Sequence, residues 1–173
     1  MPTVVLISGP AGAGKTTLAT HISQQPDWLM CSEDAYWARL PRDPHLLRTD
    51  AEKHIIQAQV VAAATAAVQR GSHVVIEFIL YEDPPQPLLF YQQALTLPGV
   101  VMRIAVLRPP LATIMARQAQ RGNDHDTQLS EEIRRTNAAH QLRCLQSNAI
   151  NPAWIIDNTT LSAAAVWQWL QRG

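Results

Sequence analysis

The sequence has 173 residues, which is enough for one α/β domain with a substantial core and too few for two ordinary domains, so we predict a single domain over residues 1–173. Its 14 basic and 14 acidic side chains balance, which argues against a general electrostatic attraction to nucleic acid or to an anionic membrane. Cys31 and Cys144 fit neither a disulfide framework nor a metal-binding spacing, and the longest apolar tract, Val60 to Val68, is too short to cross a bilayer.

The first predicted strand, about Thr3–Ser8, starts too early to leave space for a signal peptide, so we expect a cytoplasmic protein. It is followed by a complete G-x-x-x-x-G-K-[ST] motif, whose residues are Gly9, Pro10, Ala11, Gly12, Ala13, Gly14, Lys15 and Thr16. Backbone N–H groups of such a loop, and of the helix start at Thr17, bind phosphate. Lys15 would reach the outer phosphates, and the Thr16 hydroxyl would ligate Mg²⁺. The motif therefore predicts a nucleotide phosphate site.

Strand and helix patterns alternate along the rest of the chain. The other predicted strands are about Trp28–Cys31, His73–Leu80, Val100–Leu107 and Ala153–Ile156. The predicted helices run from the phosphate loop to about Gln24, from a capping box at Thr49–Glu52 to Gly71, from Pro85 to about Ala94, from Pro110 to Gly122, from Ser130 to about Ser147, and over about Ser162–Gln171. This alternation predicts a parallel sheet with helices on both faces.

With this strand, phosphate loop and helix, the chain resembles the small P-loop kinases, which include shikimate, gluconate and nucleotide kinases. It is most similar in layout to chloramphenicol phosphotransferase-like members. The resemblance covers essentially the whole chain, and the phosphate loop is its specific motif. It implies a three-layer P-loop NTPase fold with five parallel strands in the order 2-3-1-4-5. It also implies an acceptor site between strands two and three and a helical lid, about residues 117–135, that closes over ATP. The chain lacks the Asn-Lys-x-Asp element of GTPases and the Gly-Gly-Gly pattern of shikimate kinases.

An acidic pair, Glu33 and Asp34, follows the second predicted strand. In the resembling kinases an aspartate leaving this strand orients the acceptor hydroxyl and accepts its proton, or helps to hold Mg²⁺ through water. We therefore expect Asp34 to be the catalytic base, with Glu33 as the alternative. A purely structural interpretation is also open, in which Asp34 or Ser32 caps a helix that starts at Ala35.

Glu77 lies inside the otherwise apolar third strand, where a carboxylate is costly to bury unless it is paired or near a metal. The resemblance places this strand beside the phosphate-loop strand, so Glu77 is expected at the Mg²⁺ site. Many relatives carry aspartate here, which leaves open whether Glu77 ligates the metal directly or through water. The structural alternative is a buried ion pair with an arginine.

Arg117 and Arg121 are spaced i, i+4 on the helix after the fourth strand. In the resembling family, arginines around the lid clamp ATP and neutralise charge on the transferred phosphoryl group, so we expect both to bind nucleotide and Arg121 to be catalytic. Arg134 or Arg135 on the next helix could complete the clamp. The alternative is that these arginines form a solvated helix face.

The segment between Asp34 and Asp50 is predicted to select the acceptor. Its aromatic and basic side chains would hold a ring and an anionic or polar group; they are Tyr36, Trp37, Arg39, Arg42 and Arg48. Tyr36 and Trp37 fit an ordinary core equally well. Tyr81 and Glu82 face the same cleft in the family layout. Asp157, Asn158 and Thr159 would lie near the adenine edge, although a simple turn and helix cap explains them slightly better.

Together these features predict an ATP- and Mg²⁺-dependent kinase whose partners are a nucleotide and a small-molecule acceptor. A nucleotide or polynucleotide kinase is a second hypothesis, which the neutral charge disfavours. An ATP-binding or ATPase module without an acceptor is a third. The sequence carries no signal for the identity of the acceptor or for the oligomeric state.

Overall fold

The computed structural model describes residues 1–39, 49–121 and 129–172. Five parallel strands form one sheet in the order β2-β3-β1-β4-β5, which confirms the predicted order. The strands are β1 (Thr3–Ser8), β2 (Trp28–Ser32), β3 (His73–Glu77), β4 (Val101–Leu107) and β5 (Ile155–Ile156).

Seven helices lie in the described ranges, and a short 3₁₀ turn, Pro152–Trp154, precedes β5. They are α1 (Lys15–Ser23), α2 (Glu33–Trp37), α3 (Asp50–Gln69), α4 (Gln86–Leu95), α5 (Leu111–Arg121), α6 (Glu131–Cys144) and α7 (Ala163–Arg172). The predicted capping box starts α3, where the Thr49 hydroxyl accepts from Glu52 N–H and the Glu52 carboxylate accepts from Thr49 N–H. None of these helices combines the length and the apolar character needed to cross a membrane.

Two hydrophobic layers cover the faces of the sheet. Val4 and Leu6 of β1 pack into the layer that α3 and α4 complete, whereas Val5 and Ile7 pack into the layer formed with α1 and α7. All four side chains are fully buried. A central parallel strand is buried on both faces, which explains why β1 is a continuous apolar run rather than an alternating one.

The structure corrects several predicted boundaries. β3 ends at Glu77 instead of Leu80, because its last pairs are Glu77 with Ile7 on β1 and Glu77 with Ser32 on β2. Beyond those pairs β1 leads into the phosphate loop and β2 into α2, so β3 has no neighbour to pair with. β5 is shortened at its start by the 3₁₀ turn, and α6 ends at Cys144 rather than Ser147.

The sheet register sets the position of the candidate site. Ile7, Ser32 and Glu77 lie side by side where β1, β2 and β3 end. The carboxyl ends of parallel strands are where open α/β sheets bind ligands. The phosphate loop and the start of α2 therefore flank Glu77. Two predicted features, the loop Asn123–Gln128 and the arginines Arg42 and Arg48, lie outside the described residues.

Candidate active site

The side chain of Lys15 contacts the backbone of its own phosphate loop. Its Nζ donates a hydrogen bond to the carbonyl oxygen of Pro10 at 3.0 Å. Burial lowers the pKa of Lys15 to about 8; the charges of Glu77 and Asp34 oppose this, and that of Arg121 adds to it. The Lys15 ammonium is therefore within electrostatic reach of three side chains that the sequence predicted for the same site.

Thr16 and Glu77, the two predicted metal ligands, are in direct contact. Thr16 Oγ1 donates to Glu77 Oε2 at 2.9 Å, although the residues are 61 positions apart. Glu77 is 5% exposed, so this hydroxyl supplies one of the partners that a buried carboxylate needs. Hydroxyl and carboxylate oxygens are the hard ligands that Mg²⁺ prefers, and the pair fits that ion.

Asp34 lies in the first turn of α2 and lines a small cavity of about 50 Å³. α2 begins at Glu33 rather than Ala35, and its N-cap residue Ser32 makes no capping hydrogen bond with its side chain. This geometry departs from the capping interpretation. The cavity is lined by Glu33, Asp34, Trp37, Lys53, Gln57, Ile79, Tyr81, Glu82 and Pro87. The charge of Asp34 also acts on Lys15, where it raises the pKa against the effect of burial.

Glu33 lines the same cavity as Asp34 and also has a buried hydrogen-bond partner. It accepts a hydrogen bond of 2.5 Å from the hydroxyl of Tyr91, which is fully buried on α4. Burial strongly raises the pKa of Tyr91, and the charge of Glu33 raises it further, so the hydroxyl keeps its proton and donates it. Tyr91 was not predicted as a site residue, because its apolar surroundings in the sequence indicate only a core position.

Lys53 and Gln57 also line the cavity and were not predicted there. They are spaced i, i+4 on α3, and this spacing places both on one face of the helix. Lys53 Nζ donates to Asp50 at 3.0 Å, and Gln57 is 7% exposed. The i, i+4 spacing of these two polar residues is the sequence signal that could have indicated this face.

Arg117 binds backbone carbonyl groups. Its guanidinium donates to Ala13 O at 3.1 Å, to Asn158 O at 2.8 Å and to Thr159 O at 3.3 Å. It therefore ties the phosphate loop to the loop after β5. A cleft of about 390 Å³ lies on this side of the phosphate loop, and Gly12, Arg121 and Asn158 are among its lining residues.

The model of the AAA domain family matches residues 4–144. That range includes the phosphate loop, the start of α2, Glu77 and both arginines of α5. The chain belongs to this family.

Solved structures with the same fold as this AAA domain include a tunicamycin resistance protein, a sugar kinase and an RNA repair complex. The Deinococcus radiodurans tunicamycin resistance protein has a TM-score of 0.69 at 15% identity, over 99% of this chain and 95% of that one. A sugar kinase from Janibacter sp. HTCC2649 has a TM-score of 0.66 at 16% identity, over 99% and 92%. The Pnkp1/Rnl/Hen1 RNA repair complex has a TM-score of 0.64 at 16% identity, over 84% of this chain and 45% of that one. No curated protein matches the sequence. At these identities the likeness shows the fold, a P-loop kinase-like domain.

The loop after β5 of this AAA domain forms the predicted turn and also contacts the phosphate loop; its position near an adenine stays a prediction. Asp157 Oδ1 accepts from Thr159 N–H at 2.9 Å and so forms a local turn. Asn158 lines the cleft, and its Nδ2 donates to Ala13 O at 2.8 Å. The turn and the contact with the phosphate loop coexist.

The other predicted side chains are less central. Arg39 is exposed and stacks 5.1 Å from the ring centroid of Tyr36. Arg135 pairs with Glu131 on an exposed face of α6, whereas Arg134 has a buried Nε without a hydrogen-bond partner among the described residues. A role for Arg134 or Arg135 in the clamp stays a prediction.

Proposed function

We propose that this protein is an ATP- and Mg²⁺-dependent phosphotransferase that moves the γ-phosphate to a hydroxyl group of a small molecule. The observation that carries the proposal is the double environment of Asp34. Its carboxylate lines the cavity beside β2, and its charge also acts on the buried ammonium of Lys15. A catalytic base for phosphoryl transfer needs this position, between an acceptor and the phosphates.

The roles of the side chains follow from their chemistry. Lys15 and Arg121 would neutralise phosphate charge, and Thr16 and Glu77 would hold Mg²⁺. When bound, the metal supplies charge neutralisation and orientation of the phosphate oxygens. Asp34 would accept the hydroxyl proton as the acceptor oxygen bonds to the γ-phosphorus. The bond from that phosphorus to the bridging oxygen breaks, and ADP leaves.

A small acceptor is favoured over a nucleic acid. The cavity at Asp34 is small, and the sequence has equal numbers of acidic and basic residues, whereas polynucleotide binding draws on an excess of positive charge. The sugar kinase and the tunicamycin resistance protein match this chain over nearly their whole lengths. Because the fold is also similar to that of an RNA repair complex, a polynucleotide is the second candidate acceptor.

The proposal is tested by substituting the base. Asp34→Asn keeps the size of the side chain and removes the proton acceptor, so transfer to an acceptor found by screening sugars, nucleosides and antibiotics should fall by about 10²–10⁴-fold. The dissociation constant of a non-hydrolysable ATP analogue with Mg²⁺ should change little, because Asp34 is not part of the phosphate loop.

The matched control is Asp27→Asn. Asp27 is exposed before β2 and has a φ of 64°, a conformation that asparagine also tolerates. The Asp27→Asn variant should transfer phosphate at the same rate as the wild type. Wild-type transfer by Asp34→Asn would exclude Asp34 as the base. ATP hydrolysis without any acceptor would favour an ATPase, and labelling of an RNA 5′-hydroxyl would favour a polynucleotide kinase.

A further inference from the structure

Both polar groups of one phosphate-loop peptide are bound by buried glutamines. Ala11 N–H donates to Gln141 Oε1 at 2.9 Å, and Gln118 Nε2 donates to Ala11 O at 2.8 Å. The glutamines are 2% and 3% exposed, respectively. They come from α6 and α5, at 130 and 107 positions from Ala11 in the sequence. Two helices that are both far from the loop in the sequence therefore contact the same residue of the loop.

Stability alone does not explain the amide of Gln118. Its Oε1 is buried and has no hydrogen-bond partner among the described residues. Leaving a buried acceptor unpaired is unfavourable, and this cost offsets part of what the hydrogen bond to Ala11 O contributes to stability. Reversing the amide would place its oxygen against the Ala11 carbonyl oxygen, so the donor is fixed in its present direction.

A second carbonyl group of the loop is also bound by side chains. Ala13 O is occupied by Arg117 and Asn158 in the same way. A carbonyl oxygen turned into the loop would repel a phosphate, whereas inward N–H groups attract one. The fit to α5 is tight, because a Cβ on Gly12 would lie 3.0 Å from Gln118 Cγ. Donors fixed before binding need no reorganisation when the anion arrives.

We propose that Gln118 and Gln141 are positioning residues that hold the phosphate loop in its anion-binding conformation. This inference rests on the proposed nucleotide function, and it assigns these two residues no contact with substrate. They act through the Ala11 peptide, and they link the loop to both α5 and α6.

The test replaces each glutamine by methionine, which keeps the length of the side chain and removes its hydrogen bond. Gln118→Met and Gln141→Met should each weaken binding of the Mg²⁺ complex of a non-hydrolysable ATP analogue by about fivefold. The melting temperature of Gln118→Met should change little, because the substitution removes one unpaired buried oxygen and leaves Ala11 O without its donor. Gln146→Met, an exposed position just after α6, is the matched control and should change neither quantity.

A second measurement, without nucleotide, separates this inference from the proposed function. Amide hydrogen exchange of Gly12–Lys15 in the empty protein should be faster in both variants, with the interior of α3 unchanged. If the wild type bound no ATP analogue but the variants showed this faster exchange, the proposed function would fail and the positioning role would stand. Unchanged exchange in the loop would overturn the positioning role, whatever the affinity for nucleotide.

Discussion

Raising the pH should weaken nucleotide binding through Lys15. Burial lowers the pKa of Lys15 from 10.5 to about 8, against the opposing charges of Glu77 and Asp34. Phosphate groups beside Nζ would raise that pKa, because a nearby negative charge favours the ammonium form. The complex therefore keeps a proton that the empty protein loses above about pH 8, so binding at high pH requires proton uptake.

The size of the effect follows from the pKa of Lys15 in the empty protein. At pH 9, about one-tenth of the empty molecules carry a charged Lys15, so the affinity should be about eightfold lower than at pH 7.5. Binding at pH 9 should take up about 0.9 proton per site. Calorimetric titration with a non-hydrolysable ATP analogue, in two buffers of different ionisation enthalpy, measures both quantities. Work above pH 7.5 avoids the titration of a terminal phosphate, whose pKa is about 6.

Lys15→Arg is the control, because arginine stays charged throughout this range and should abolish the proton uptake. A wild-type affinity that stayed constant from pH 7.5 to 9.5 would refute the lowered pKa. Stability supplies an independent measure. Between about pH 8 and 10.5 the folded state binds fewer protons at Lys15 than the unfolded state, so the contribution of Lys15 to stability rises with pH. Lys15→Met should therefore raise the free energy of unfolding at pH 7 by up to about 3 kcal/mol and remove that rise.

Two further substitutions test the neighbours of this site. Arg121→Ala should lower turnover by about 10²-fold and weaken nucleotide binding less, because a cation near the phosphates acts mainly on charge that develops during transfer. The exposed Arg70→Ala, just after α3, is its control, and equal effects of the two substitutions would remove Arg121 from the site. Tyr91→Phe removes the buried donor to Glu33 and should lower the free energy of unfolding, measured in urea, by about 1–3 kcal/mol. A wild-type denaturation midpoint would show that this hydrogen bond contributes nothing.

Local patterns were sufficient for most of the fold. β1 was predicted with its exact bounds, and the capping box at Thr49 located the start of α3. These features depend on short-range interactions, namely a buried apolar run, a side-chain cap and a glycine-rich turn. The error at β3 arose because its neighbours end there, a limit that the strand's own sequence does not mark. The error at β5 arose because a 3₁₀ turn occupies the residues before it.

The candidate site residues were predicted from residue types, and the chemical roles assigned to them stay predictions. The motif identified Lys15 and Thr16, and a carboxylate within an apolar strand indicated Glu77. The carboxylate pair after β2 was recognised, but its two members could not be separated from the sequence. Both line the cavity, and packing separates them in their other partners: Glu33 accepts from the buried Tyr91 hydroxyl, whereas the charge of Asp34 acts on Lys15.

The sequence by itself determined the phosphate loop, the alternation of strands and helices, and the residues able to hold phosphate, metal and a proton. The tertiary structure alone decided which of them meet: Thr16 with Glu77 across 61 positions, Arg117 with the carbonyl groups of two loops, and Gln118 and Gln141 with Ala11. The physical reason is the range of the interactions. Strand, turn and cap preferences act within a few residues, whereas the direction of a buried polar side chain is set by whichever partner the packed helices bring to it.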